Sequence, residues 1–150
     1  MIEIKRVDPR GADYIRLLQA SDDYAASLYP ATSNHMLDIE ILLRPQMNFF
    51  GVLVDGLVKG CGGFWAHEDY VEIKRVFVDP SARGLGISRK LMDVLEREAR
   101  VLGFKIACLE TGISQLEALG LYQAIGYVNR EPFGNYKLDP FSVYMEKTLS

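Results

Sequence analysis

The residues best suited to chemistry lie in one short run: Val78, Asp79, Pro80, Ser81, Ala82, Arg83, Gly84, Leu85, Gly86, Ile87, Ser88 and Arg89. A strand-forming stretch precedes it and a helix-forming stretch follows, so Gly84 and Gly86 fall in a turn that opens a helix. Glycine lets main-chain N–H groups come close to an anion. The first helical turn adds amides that lack partners and about half a positive charge. The run is a candidate phosphate cradle, with Arg83, Arg89 and Lys90 supplying local positive charge, although these three cations also suit a solvated helix face. Two familiar phosphate loops do not fit. GxxxxGK[ST] is missing, and GxGxxG fails because its third glycine would stand at Arg89.

Other reactive side chains are sparse. His35 and His67 are the two histidines, which weakens any Ser-His or metal-centred chemistry and leaves both as ordinary loop residues. Cys61 and Cys108 lie far apart in apolar stretches without CxxC spacing and are expected as buried free thiols; no metal is expected. Glu72 stands on the strand leading into the turn and, counted by twos, shares a pleat face with Val76 and Val78. It serves either as a cleft carboxylate or as a solvent-facing partner of Lys74. Glu110 follows the apolar stretch Phe104 to Leu109, with a helix cap or a surface charge as the plain alternative.

The elements that must position these groups follow from periodicity. Residues 2 to 7 alternate like a strand, and Asp8 and Pro9 open a helix carrying Ile15, Leu17, Leu18 and Leu28. A short helix is expected around Leu37 to Leu43. Phe49 to Val54 and Leu57 to Ala66 flank Asp55-Gly56, a strong hairpin signal, and Tyr70 to Val78 adds a third antiparallel strand. Ile87, Leu91, Val94, Leu95 and Leu102 recur at helical spacing up to Gly103. A strand over Phe104 to Leu109, a helix over Ile113 to Ile125 with Leu116, Leu119 and Leu121, and strands over Tyr127 to Arg130 and Phe141 to Lys147 complete the order. Such an order gives a mixed sheet covered by helices and not a doubly wound fold.

At this point the chain resembles the GNAT superfamily of acetyl-CoA-dependent N-acetyltransferases, whose cofactor loop reads (Gln/Arg)-x-x-Gly-x-(Gly/Ala). Arg83 and Gly86 match, and Ser88 replaces the final small residue. A second stretch, Ala118, Leu119, Gly120, Leu121, Tyr122, Gln123, Ala124, Ile125, Gly126 and Tyr127, resembles the family's A-x-x-LY-x-x-x-G-(Phe/Tyr) helix. Gln115 stands seven residues before Tyr122, where asparagine is common. The length of 150 residues fits a single domain, 1–150, which the resemblance makes one of this type. Its fold is α+β, a mixed, mostly antiparallel sheet of about seven strands flanked by about four helices.

The resemblance also implies roles. Amides of Arg83, Gly84, Leu85, Gly86, Ile87, Ser88 and Arg89 hold the pyrophosphate of acetyl-CoA, the strand residues Phe77 and Val78 meet its pantetheine arm, and Gln115 offers an amide contact. Tyr122 donates a proton to the CoA sulfur, Glu72 acts as general base with Glu110 as its rival, and an amide near Phe77 or Val78 meets the oxyanion. On this footing Gly86→Val is expected to abolish cofactor binding while leaving the fold. Asp22, Asp23, Asp38 and Glu40, in the region bordering the acceptor site, either attract an amine or form solvated helix faces. The expected reaction is acetyl transfer to a primary amine of a small molecule by direct attack in a ternary complex, a peptide or protein amine being the lesser option. A non-catalytic acyl-CoA sensor or scaffold is the alternative.

Composition bounds these readings. At 150 residues, 49% apolar and 25% charged, the chain is ordinary for a globular protein. A net charge of −3 argues against nucleic-acid binding. No apolar run approaches the roughly 20 residues of a membrane helix, and the N-terminus lacks a signal-peptide core. A cytoplasmic location and no membrane partner are the expectations, and the resemblance to the family adds a possible homodimer.

Overall fold

A computed structural model of the protein describes residues 1–30 and 39–149. The elements are β1 (Ile2–Arg6), α1 (Ala12–Leu28), α2 (Ile39–Leu42), β2 (Met47–Val54), β3 (Leu57–Ala66), β4 (Val71–Val78), α3 (Ile87–Val101), β5 (Ile106–Gly112), α4 (Leu116–Ala124), β6 (Val128–Arg130) and β7 (Ser142–Thr148). Seven strands form one sheet in the order β1-β2-β3-β4-β5-β7-β6. The mixed, mostly antiparallel sheet with four helices expected from the sequence is the one observed.

The Asp55-Gly56 turn, with φ of 50° and 83°, joins β2 to β3 as the hairpin signal requires. β1 to β4 then run as an antiparallel meander. A parallel partner needs a crossover, and α3 supplies it between β4 and β5. That pairing is brief. Val71, Glu72 and Ile73 face Ala107, Cys108 and Leu109, after which β4 continues to Val78 and β5 to Gly112 as unpaired neighbours. β7 returns between β5 and β6, antiparallel to both.

Both sheet faces are covered. Ile87, Leu91, Met92, Leu95 and Ala99 of α3 pack with Phe64, Val71, Ile73, Leu109 and Tyr122 in the larger core. Tyr14, Leu17 and Leu18 of α1 cover Phe49 and Cys61 on the opposite face. A third cluster, Cys108, Phe133 and Tyr144 with Tyr70 and Tyr136 against it, lies under the loop joining β6 to β7. Both cysteines are buried free thiols.

Several expectations need correcting. The apolar stretch from Phe104 becomes a strand only at Ile106 and runs on to Gly112, so Glu110 lies within it. The helix expected from Ile113 begins at Leu116, whose side chain is 75% exposed, and Leu102 is 51% exposed. Arg75 has φ 62°, and the register between β3 and β4 shifts beside it, the signature of a β-bulge. The bulge breaks the period-two count. Val76 and Val78 lie with Ile73 on the α3 side, whereas Glu72 points to the other face, towards His67 and Tyr136. The first part of the expected short helix, Leu37 and Asp38, lies outside the described residues, as does His35, expected in a loop; α2 is the helix's described remainder.

Candidate active site between two splayed strands

The glycine turn is built from its N-terminal side. Asp79 accepts from the Ser81 amide at 2.9 Å and the Ser81 hydroxyl at 2.8 Å, which holds a 3-10 turn over Pro80–Ala82. The Ser81 amide is the main reason the Asp79 carboxyl titrates below its ordinary value. Gly84 and Gly86 then adopt φ of 85° and 72°, a region closed to most side chains. Gly86 is the N-cap of α3 and no side chain caps the helix. The first intrahelical bond runs from the Lys90 amide to the Gly86 carbonyl, so the amides of Ile87, Ser88 and Arg89 lack helical partners. A Cβ built on Gly84 or Gly86 meets no protein atom within 4 Å. This is open space beside a row of donors, suited to an anion.

A groove of about 660 Å³ runs from this turn to the N-terminus of α4. Phe77, Val78, Arg83, Gly84, Gly86, Ile87, Ser88, Arg89 and Gln115 all line it. Leu85 does not, and is 51% exposed. The Phe77 carbonyl lies on the β3 side, 3.3 Å from a Cβ placed on Gly60, and the Asp79 amide donates to the Lys59 carbonyl across the same pair. Main-chain groups alternate along a strand, so the amides of Val76 and Val78 face the opened edge and the Phe77 amide does not. Gln115 is partly committed, its Oε1 accepting from the Gly112 amide at 3.0 Å and the Tyr29 hydroxyl at 3.3 Å.

A second cavity, about 190 Å³, fills the fork between β4 and β5. Glu72 and Glu110 line it from opposite strands, and Tyr122, Gln115, Ala118 and Val76 line both cavities. Tyr122 is 8% exposed and packs edge-on against Tyr127 at 5.9 Å. Tyr127 donates to the buried Glu96 at 3.0 Å, and Glu96 pairs with Lys147 at 2.7 Å. Burial, with a smaller contribution from Glu110, pushes the Tyr122 hydroxyl up to about 12. It therefore holds its proton at neutral pH at the junction of a long groove and a small acidic pocket.

Residues 13–127 match the model of the acetyltransferase (GNAT) family. The chain belongs to this family. It is 41% identical to the IAA acetyltransferase of Azospirillum brasilense over 99% of this chain and 98% of that one. Its fold superposes on a Klebsiella pneumoniae protein described as an acyl-CoA N-acyltransferase with a TM-score of 0.85 and 34% identity, covering 100% of this chain and 99% of that chain. The fold is also similar to that of an acetyltransferase, YncA of Salmonella typhimurium, solved with acetyl-CoA, at a TM-score of 0.73 and 20% identity over 99% and 94% of the two chains. The chain is thus a GNAT acyltransferase.

Sequence reasoning missed part of this acetyltransferase's site. Glu72, 4% exposed, accepts from the Tyr136 hydroxyl at 2.7 Å, pairs with Lys74 at 2.9 Å and lies 3.0 Å from His67 Nε2. Burial and the Glu72 charge push Tyr136 well above the ordinary tyrosine range. Tyr136 comes from the loop between β6 and β7 and His67 from the turn before β4, so no spacing links them to Glu72. Tyr29 ties the end of α1 to α4, accepting from the Ser114 amide at 3.2 Å. Asp22, read from the sequence as either an amine attractor or part of a solvated helix face, is paired with Arg75 at 2.7 Å, and Asp23 accepts from Gln19. Among the described residues no three His, Cys, Asp or Glu are grouped to hold a metal, and no helix is long and apolar enough to cross a membrane.

Proposed function

We propose that this acetyltransferase moves an acetyl group from acetyl-CoA to a primary amine of a small molecule, by direct attack with both substrates bound. One observation carries the reading: a groove leading from uncapped helix amides meets a small pocket with two carboxylates, and the meeting point is a protonated tyrosine. The residues fit the donor. Positive-φ glycines with open space beside them and the amides of Ile87, Ser88 and Arg89 suit its diphosphate, while Val78 and Gln115 line the groove that would take its arm. When bound, acetyl-CoA supplies a thioester carbonyl open to nucleophilic attack and a thiolate leaving group.

The chain's own groups do the rest. Glu110 draws a cationic amine into the pocket, and its charge also helps keep the hydroxyls of Tyr29, Tyr122, Tyr136 and Tyr144 protonated. Glu72 takes the proton that the ammonium must lose before it can attack. The Val76 or Val78 amide, facing the opened strand edge, meets negative charge developing on the carbonyl oxygen. Tyr122 holds the proton destined for sulfur. The acyltransferase relatives favour turnover over a binding-only sensor. We place this work in the cytoplasm, by a monomer or a homodimer.

The test is CoA release with acetyl-CoA and a panel of small primary amines, amino acids and peptides. Turnover above background hydrolysis with a small amine supports the reading; acetylation of peptides alone would overturn the acceptor class.

A further inference from the structure

Glu72 poses a problem of proton disposal. It is 5% exposed at the side chain, yet each catalytic cycle that begins with an ammonium ion must send one proton to bulk solvent. Of its three partners, two are already donors. Lys74 is a cation, and Tyr136, held above the ordinary tyrosine range by burial and by Glu72, donates its hydroxyl to Oε2. The third is an imidazole nitrogen, 3.0 Å from the other carboxylate oxygen, Oε1. Its side chain is 32% exposed, so His67 touches both the buried carboxylate and the surface. The ring is held for this contact. It stacks on Tyr70 at 4.4 Å and 18°, and the His67 amide donates to the Tyr70 carbonyl at 2.9 Å.

We infer that His67 is the proton exit of the active site, carrying to solvent the proton that Glu72 takes from the acceptor ammonium. This rests on Glu72 being the base. The balance is simple. An N–H bond of the ammonium breaks and an O–H bond forms on Glu72; that proton passes to His67 Nε2, and the imidazolium releases one proton to water. The attacking nitrogen's second proton replaces the one Tyr122 gives to sulfur, so one proton leaves per acetyl group transferred. The ring meets Glu72 and Tyr70 directly; Lys74 from β4 and Tyr136 from the β6–β7 loop share the Glu72 carboxylate, and Glu68 and Asp69 are the charged neighbours in its own turn. Arg130 and Cys108 act more remotely through Tyr70. Among side chains, only imidazole has an unperturbed value that lets it take up and release protons around neutrality.

The experiment compares wild type, His67→Gln, His67→Ala and Glu72→Gln with saturating acetyl-CoA in dilute buffer. His67→Gln retains a hydrogen-bonding side chain but cannot carry the proton. It should lower kcat about tenfold or more with KM for the amine within about twofold, and added imidazole should restore turnover to His67→Ala. A readout in the free protein accompanies this. With two histidines in the chain, the His67 ring signals in a nitrogen-15 spectrum are assigned by their loss in His67→Gln, and the Nε2 signal should move in Glu72→Gln, where its carboxylate partner is lost. Wild-type kcat and pH profile in His67→Gln, or a His67 Nε2 signal indifferent to Glu72→Gln, would overturn the exit route. If Glu72→Gln itself retains turnover, Glu72 as base fails. If it loses turnover while His67→Gln does not, only the exit route fails.

Discussion

Tyr122 shows how much one side chain depends on its neighbours. The residue lines both cavities, and its ring packs against Tyr127, which is held in turn by the Glu96–Lys147 pair. Burial pushes the hydroxyl up to about 12, so the proton is available throughout the physiological range. Tyr122→Phe should therefore lower kcat by about a hundredfold or more and leave the calorimetric Kd for CoA within about twofold. Any alkaline limb of the wild-type profile between pH 8 and 10 should not come from Tyr122, because its ionisation lies higher. A variant with unchanged kcat would remove Tyr122 from the chemistry.

At the scale of elements, two glycines carry separate physical demands. Gly86 caps α3 at φ 72° with open space around its α-carbon. A side chain there strains the backbone before it meets any ligand, so Gly86→Val should cost the fold about 1–2 kcal/mol as well as weaken CoA binding. The expectation that the fold is spared does not follow from this geometry. Gly86→Asn, which tolerates the left-handed region better, should recover most of the stability in denaturant melts. Gly112 differs: a Cβ there would collide with the Tyr29 ring and hydroxyl. Gly112→Ala should lose about 1–3 kcal/mol, and Tyr29→Ala added to it should restore part of that loss; strict additivity in the double-mutant cycle would refute the contact.

Across the whole molecule, buried tyrosines set the alkaline limit of stability. Tyr122 is raised to about 12, and Tyr127 and Tyr136 higher still, by burial first and then by Glu96 and Glu72 respectively. A free tyrosine ionises near 10. Above that pH the unfolded chain loses tyrosine protons that the folded chain keeps, so the tyrosines' contribution is intact below about pH 10 and is lost as pH rises through 12. This comes on top of an earlier loss from the buried thiols of Cys61 and Cys108, which are also held above their ordinary value. Denaturant midpoints at pH 8, 10 and 11 should decline, with a shallower decline in Tyr127→Phe; a flat series would contradict this.

What could be read without coordinates was local. Gly84 and Gly86 announce their turn because only glycine settles readily at positive φ, the α3 core face follows from apolar spacing, and the Asp55-Gly56 hairpin carries its own backbone preference. Arg75 gives no such warning. Its bulge places an ordinary residue at φ 62° and reverses the alternation by which Glu72 had been assigned to the face of Val76 and Val78. His67 and Tyr136, 69 positions apart in the chain, meet at Glu72 only because the β3–β4 turn and the β6–β7 loop close over the same end of the sheet. Short-range dihedral preference and periodicity were thus enough for the glycine turn and the order of elements. The fork between β4 and β5, and the donors around its carboxylate, came from long-range packing that pattern within a single segment does not encode.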